Sequence, residues 1–396
     1  MKTSEQKTLG FYIHIPFCKQ KCRYCDFVSY PVDDSSTHMA YVLKVIYELR
    51  ARRAMITGAD EADSQNPGDW GDTVVDSIYF GGGTPSLIEA GFITEILDAI
   101  YATYNVAEDA EITIEVNPGT SHGKKLLRYR RSGINRVSIG VQSFNNDILA
   151  FLGRSHSMED AVSCVVEARA AGFDNIGLDL IFAIPGQGFS DWSRDLSTAL
   201  ILKPDHVSFY SLQIEEGTPL FEDLKRGAFN EPADTMDRVM YRTAQNYLSE
   251  DGFCQYEISN SARPGRESRH NLKYWSMEPY VGFGVNAHSY FGGRRFANTS
   301  GLAAYLTAGS EKEMTVSIHE NTLSDDMGEF VFLGLRRISG IELSRFNARF
   351  GKDFWEQYGK VTRKLIDRGL LEHEGDALRL TPDGRDLANT VFCEYV

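Results

Sequence analysis

The sequence predicts an α/β fold: a partial β/α barrel of the (β/α)6 type, then a C-terminal extension and a small winged-helix-like α+β domain. Three observations carry that expectation. Short apolar, β-rich runs recur at 11–17, 74–80, 111–116, 136–141, 176–182 and 206–212. Segments with helical spacing lie between them, as at 39–52, 93–104 and 158–171. Strand alternating with helix implies a parallel sheet with helices outside, and continuously apolar strands suit a barrel better than a sandwich. Finally, the distinctive polar motifs fall at the C-terminal ends of the strand runs, where β/α barrels gather their reacting groups.

Taken in order, the first run leads into Cys18, Cys22 and Cys25, spaced C-x3-C-x2-C. A polar stretch, 58–72, reads as a surface loop. The second run ends in GGGTP at 81–85, the third in Glu115 and Asn117, the fourth in Gln142, Ser143 and Phe144. The fifth carries Asp179 and ends in Pro185, Gly186 and Gln187; the sixth leads to Gln213. Past residue 225 the rhythm changes. Residues 234–250 read as one helix, and 256–300 as loops with short strands. A break falls near 310–325, followed by a helix at 354–368 and a hairpin at 369–380. The expected division is 1–225 for the barrel, 226–315 for the extension and 316–396 for the winged-helix-like domain. That module often binds DNA, but the chain is acidic and a packing or lid role fits better.

Composition narrows the classes. The 396 residues are 42% apolar and 24% charged, as in ordinary globular proteins, with a formal charge of −14. Phosphate binding needs clustered positive charge, so nucleic acid is not expected as a partner. No apolar run approaches the roughly 20 residues that span a bilayer. Cysteines outside the triad are few and scattered, which points to a reducing cytoplasm.

The triad is the densest chemical signal. Three thiolates are one short of the four that normally hold a [4Fe–4S] cluster. A cubane so held keeps one iron open, which marks a catalytic metal rather than a structural one. A zinc site completed by His14 is the alternative. A disulfide fits less well, since Cys164, Cys254 and Cys393 are isolated and no secretory signal segment is evident.

Other residues allow two readings each. The glycine run is either a tight turn or a place where a ligand approaches the backbone. Glu115 is a buried ion-pair residue or an acceptor for a ligand amine or hydroxyl. Asp179, set among leucines, needs a partner such as Arg154 or a ligand hydroxyl. Residues 263–275 hold three arginines, a lysine, a histidine and two aromatics. They form a solvated basic loop or a site for a flat anionic ligand, with His270 as an iron ligand. His288 is a core histidine or part of a pocket.

With Tyr24 before its last cysteine, the triad resembles that of the radical S-adenosylmethionine (SAM) superfamily. YIHIPFC at 12–18, GGGTP at 81–85, QSF at 142–144, Asp179 and the C-terminal module together resemble the HemN/HemW group, over nearly the whole chain. The resemblance implies a radical SAM barrel in which SAM is cleaved reductively to a 5′-deoxyadenosyl radical. It implies cluster ligands Cys18, Cys22 and Cys25, and first-SAM contacts from Tyr12, Gly82 and Glu115, with His288 nearby. Members with a second SAM would place Tyr24, Gly83, Thr84, Gln142, Arg154, Asp179 and Gln213 near it.

Two functions exist in that group. One is the oxygen-independent coproporphyrinogen III dehydrogenase, which oxidatively decarboxylates two propionates. The other is a heme chaperone, which binds heme and passes it to an acceptor protein. The dehydrogenase pattern carries another cysteine two residues after the triad, where this chain has Phe27. The chaperone pattern H-N-x-x-Y-W is intact in His270, Asn271, Tyr274 and Trp275, the candidate heme residues. The resemblance therefore implies a heme chaperone carrying a [4Fe–4S] cluster, one or two SAM molecules and heme, with the acceptor unidentified.

Overall fold

The structure is a computed structural model that describes residues 7–58 and 73–396. The polar loop expected over 58–72 lies, past Gly58, outside the described residues. Six strands form the centre: β1 (Thr8–Ile15), β2 (Val74–Gly82), β3 (Val106–Val116), β4 (Arg136–Gln142), β5 (Ile176–Phe182) and β6 (His206–Ser211). They pair in parallel in sequence order. Each is joined to the next through helix, as right-handed crossover units require.

Helix starts follow local chemistry. Asp34 accepts from the Thr37 N–H at 2.9 Å to open helix Ser35–Ala51. Ser157 and Asp160 form a capping box at the start of helix Met158–Ala170.

The extension lengthens this sheet at both ends. Strands β7 (Cys254–Glu257) and β8 (Asn260–Ala262) are antiparallel to each other, and β8 is antiparallel to β6. On the other side β9 (Tyr280–Phe283) runs parallel to β1, followed by antiparallel β10 (His288–Phe291), β11 (Arg294–Asn298) and β12 (Thr315–Glu320). Residues 315–320, read from sequence as part of a break, are thus an edge strand. Side chains from β2 and from β6 line one cavity, so the six-stranded part is curled into a partial barrel.

Its two faces differ by the period-two rule of strands. On β4, Val137, Ile139 and Val141 are fully buried in the main core, toward the helices. Arg136, Ser138, Gly140 and Gln142 face inward and line the cavity. Barrels of this family of shapes usually fill their interior with branched apolar side chains. Here Ser138, Gly140, Gly177 and Ser208 are too small to do so, and space is left.

The C-terminal part has its own apolar core, which includes Phe330, Phe346, Phe354, Leu365 and Leu378. Its sheet is β13 (Ile341–Glu342), β14 (Leu371–Glu374) and β15 (Ala377–Leu380), with β15 in the middle. Helices Leu323–Gly334, Leu343–Phe350 and Phe354–Asp367 complete the winged-helix-like arrangement. No described helix is long and apolar enough to cross a membrane.

Candidate functional site

The cavity holds about 440 Å³ and opens beside the cysteine loop, a size that suits one drug-sized ligand. The loop lies at the C-terminal end of β1, because Pro16 ends the strand and the chain turns back. Two backbone bonds fix the turn: Cys18 N–H donates to the Tyr30 carbonyl at 3.0 Å, and Tyr30 N–H to the Pro16 carbonyl at 2.7 Å. Cys18, Cys22, Tyr24 and Cys25 all line the cavity, with Phe27 at its rim.

Two of the thiols are joined by a chain of polar contacts from three other segments. Thr84 Oγ1 lies 3.4 Å from Cys18 Sγ and accepts from Asn117 Nδ2 at 2.9 Å. Arg154 Nη2 donates to Asn117 Oδ1 at 2.5 Å, and its Nη1 to Cys22 Sγ at 3.6 Å. A guanidinium and a hydroxyl thus hold two of the sulfurs in place. Burial pushes the Cys25 thiol up to about 11; a bound metal takes the proton's place on such a group.

The donor chemistry, three cysteine thiols on one cavity rim, is that of an iron–sulfur cluster. Among the described residues no three His, Cys, Asp or Glu side chains converge as the ligands of one ion would. His14 is not available to complete a zinc site. Its Nε2 bonds the Val28 carbonyl at 3.1 Å and its Nδ1 the Tyr12 hydroxyl at 3.1 Å.

Deeper in the cavity the polar side chains are tethered by their own strands. Glu115 accepts from the Tyr79 hydroxyl at 2.9 Å and from the Gly82 N–H at 3.2 Å. Burial, and then the Asp179 charge, raise its carboxyl to about 7. Asp179 is held by Ser138 Oγ at 3.1 and 3.2 Å, and burial raises it too. Two carboxyls sharing one enclosed space cannot both ionise cheaply, so a cationic or hydroxyl-bearing ligand stabilises their charged forms. Gln142 sits at the end of β4 with φ +67°, a left-handed conformation that costs a non-glycine residue about 1–3 kcal/mol. The turn directs its side chain toward the cavity.

The glycine run answers a packing need as well as a ligand. A Cβ on Gly82 would lie 2.6 Å from the His14 ring, and one on Gly83 2.9 Å from the Phe17 carbonyl oxygen. The loop after β2 can therefore lie flat against the cysteine loop only without side chains. Gly82 and Gly83 still expose backbone to the cavity.

Of the residues expected from sequence, the cavity gathers Cys18, Cys22, Cys25, Tyr24, Gly82, Gly83, Thr84, Glu115, Gln142, Arg154, Asp179, Gln213 and Asn271. Five others stand elsewhere. Tyr12 lies behind Gly81, whose Cβ would come within 3.0 Å of its ring. His288 is exposed on β10. His270, Tyr274 and Trp275 belong to a helix, Arg269–Trp275, in a segment read from sequence as loop.

That helix closes the bottom of the barrel, opposite the cysteines. Glu111, on the N-terminal half of β3, accepts from the Arg269 and His270 N–H groups, both at 3.1 Å. His270 is 1% exposed, its Nδ1 bonded to Ser77 Oγ at 3.0 Å and its Nε2 to the Tyr274 hydroxyl at 2.8 Å. Both ring nitrogens are thus taken within the protein, and burial holds the ring neutral, down to about 3. The expected iron ligand is, in this structure, a core histidine stacked on Tyr79. Trp275 lies under the Arg336 guanidinium at 4.3 Å.

The sequence reading missed the inward residues of the strands, Arg136, Ser138, Ser208 and Tyr210. Their signal was polar side chains at alternate positions within apolar runs.

The chain shares both of its parts with known proteins. The model of the Radical SAM superfamily matches residues 12–199, and that of the HemN C-terminal domain matches 321–387. The chain is 34% identical over 392 residues to the Heme chaperone HemW of Bacillus subtilis (strain 168), covering 97% of this chain and 98% of the relative. It is 35% identical to the Heme chaperone HemW of Synechocystis sp. (strain ATCC 27184 / PCC 6803 / Kazusa), covering 96% and 91%. It is also 35% identical to the mitochondrial Radical S-adenosyl methionine domain-containing protein 1 of Danio rerio, covering 84% and 73%. Among solved structures, coproporphyrinogen III oxidase (HemN) from Escherichia coli superposes with a TM-score of 0.83 at 21% identity, covering 98% of this chain and 90% of that one. At that identity the likeness shows a common fold.

Proposed function

Since the chain belongs to the HemN/HemW group of the radical SAM superfamily, we propose that it is a heme chaperone, binding heme and passing it to an acceptor protein. Cys18, Cys22 and Cys25 would hold a [4Fe–4S] cluster. Gly82, Glu115, Gln142, Arg154, Asp179 and Gln213 would hold SAM. When bound, the cluster supplies an open iron and an electron to SAM. The chain's own part is to bind and orient. Thr84, Asn117 and Arg154 support the thiolates, while Glu115 and Asp179 offer negative charge to an amine or sulfonium.

The observation that carries the reading is Phe27. The resemblance implies a cysteine at this position in the decarboxylating branch, and here an apolar ring stands 64% exposed on the cavity rim. A large exposed aromatic at the mouth of the cavity suits a flat apolar ligand. We therefore place heme against Phe27 rather than on His270, whose nitrogens are already bonded.

Heme titration of the anaerobically reconstituted protein, followed by addition of an apo-hemoprotein, tests the reading. The expected result is saturable binding and transfer to the apo-protein faster than from free heme. Phe27→Ala should bind about tenfold more weakly, as loss of a stacked aromatic costs about 1–1.5 kcal/mol. Absence of heme binding would refute the proposal.

A further inference from the structure

Arg136 is the anomaly of the barrel interior. It starts β4, six residues from Gln142 at the other end, so the cavity runs about 20 Å along the strand. Its side chain is 1% exposed and lines that cavity. The guanidinium makes one long hydrogen bond, Nη1 to Thr113 Oγ1 at 3.5 Å, and its Nε has no partner.

Among the described residues it joins no ion pair, and the carboxylates near it are already engaged. Glu111 accepts from the helix N-terminus at Arg269 and His270, and Asp179 accepts from Ser138. The Glu111 and Asp179 charges nearby keep the guanidinium ionised but leave its donors unfilled, and a fork of donors without an acceptor is what a carboxylate satisfies bidentately.

The surroundings keep room for such a group. A Cβ on Gly177 would stand 3.4 Å from each of Arg136 Nη2, His206 Nδ1 and Ser138 Oγ, so glycine lets these three polar atoms crowd together beside the cavity that Arg136 and Ser138 line. His206 Nδ1 is itself unpartnered. From the helix below, Asn271 lines the cavity, and among the described residues its side-chain amide bonds nothing in the protein.

We propose that Arg136 and Asn271 form a carboxylate-binding subsite on the barrel floor, far from the cysteine loop. The carboxylate comes either from the methionine end of a second SAM molecule, the first lying by the cysteine loop, or from a tetrapyrrole propionate; only the propionate source rests on the heme reading. The subsite also gives the H-N-x-x-Y-W segment a role: His270 and Tyr274 lock the helix so that Asn271 faces the ligand.

The test uses the full-length reconstituted protein and two ligand pairs. One pair is SAM and its decarboxylated analogue, the other heme and its dimethyl ester. Calorimetry should show at least a tenfold preference for the carboxylate member of one pair. Asn271→Asp, which sets a like charge beside the subsite, should abolish that preference. Arg136→Met should do the same. Because Arg136 is buried and that variant can misfold, Asn271→Asp, with its cluster absorption intact, is the deciding one.

Loss within the SAM pair assigns the methionine carboxylate, and loss within the heme pair assigns the propionate. Discrimination within the SAM pair without any heme binding would keep the subsite and remove the chaperone reading. Preferences unchanged in Asn271→Asp, or equal weakening of both members of each pair, would overturn the proposal.

Discussion

Glu115 and Asp179 set the electrostatics of the cavity, and a pH series reads them. Burial and the neighbouring Asp179 raise the Glu115 carboxyl from 4.5 to about 7. The folded state then holds this proton more tightly than the unfolded chain. Its contribution to stability is full below pH 4.5 and is lost as pH rises through about 7. Glu115→Gln should remove that decline, up to about 3 kcal/mol, from the melting temperature measured between pH 5 and 8. A decline of the same size in the variant would mean that Glu115 is not the group responsible. Arg154 is read by electrochemistry. It donates to Cys22 Sγ, and donors to a cluster sulfur raise its potential. Arg154→Met should lower the midpoint in an anaerobic redox titration, and an unmoved midpoint would separate this contact from the cluster. At this scale the residues legible in the sequence were those at strand ends, where a motif breaks an apolar run. Arg136, Ser138 and Ser208 were missed, because their alternation points to a ligand only once the strand's inward face is known.

At the scale of elements, the six parallel strands were legible, since their runs are rich in apolar and β-branched residues and bounded by turn signals. The helix Arg269–Trp275 was not. Its seven residues carry no apolar period; it exists because Ser268 caps it at 3.3 Å and Glu111 receives its first N–H groups. Strand β12 was missed because five of its six residues are exposed and it is held by backbone pairing to β11. The helix gives a sharp prediction. His270→Ala should cost about 3 kcal/mol in denaturant unfolding, since it opens a buried space and strands the Tyr274 and Ser77 hydroxyls. The heme absorption spectrum of the surviving folded protein should not change. A shifted spectrum would return His270 to the iron. The kink at Gln142 gives another. Gln142→Gly should relax φ +67° and raise stability by about 1 kcal/mol while weakening SAM binding. A less stable variant would mean that the turn is not strained.

For the molecule as a whole, the C-terminal part is bound to the barrel's extension rather than tethered beside it. Met277 and Tyr290 belong to its core, and Arg349 donates twice to the Met277 carbonyl at 3.2 Å. Ile338 N–H donates to the Tyr256 carbonyl, and Ile258 N–H to that of Arg336. The sequence showed the helix and hairpin of this module, but not that its core is completed by residues some 50–100 positions earlier. Ending the chain at residue 320 should expose that apolar surface and give insoluble protein, judged by soluble yield; a soluble barrel would show the two parts to be independent. The central claim concerns what the assembled molecule does with a tetrapyrrole. The direct measurement is anaerobic incubation of the reconstituted protein with SAM, reductant and coproporphyrinogen III, with a parallel heme titration. The account predicts unchanged coproporphyrinogen III and heme bound at about one per chain. Conversion to protoporphyrinogen IX would contradict it.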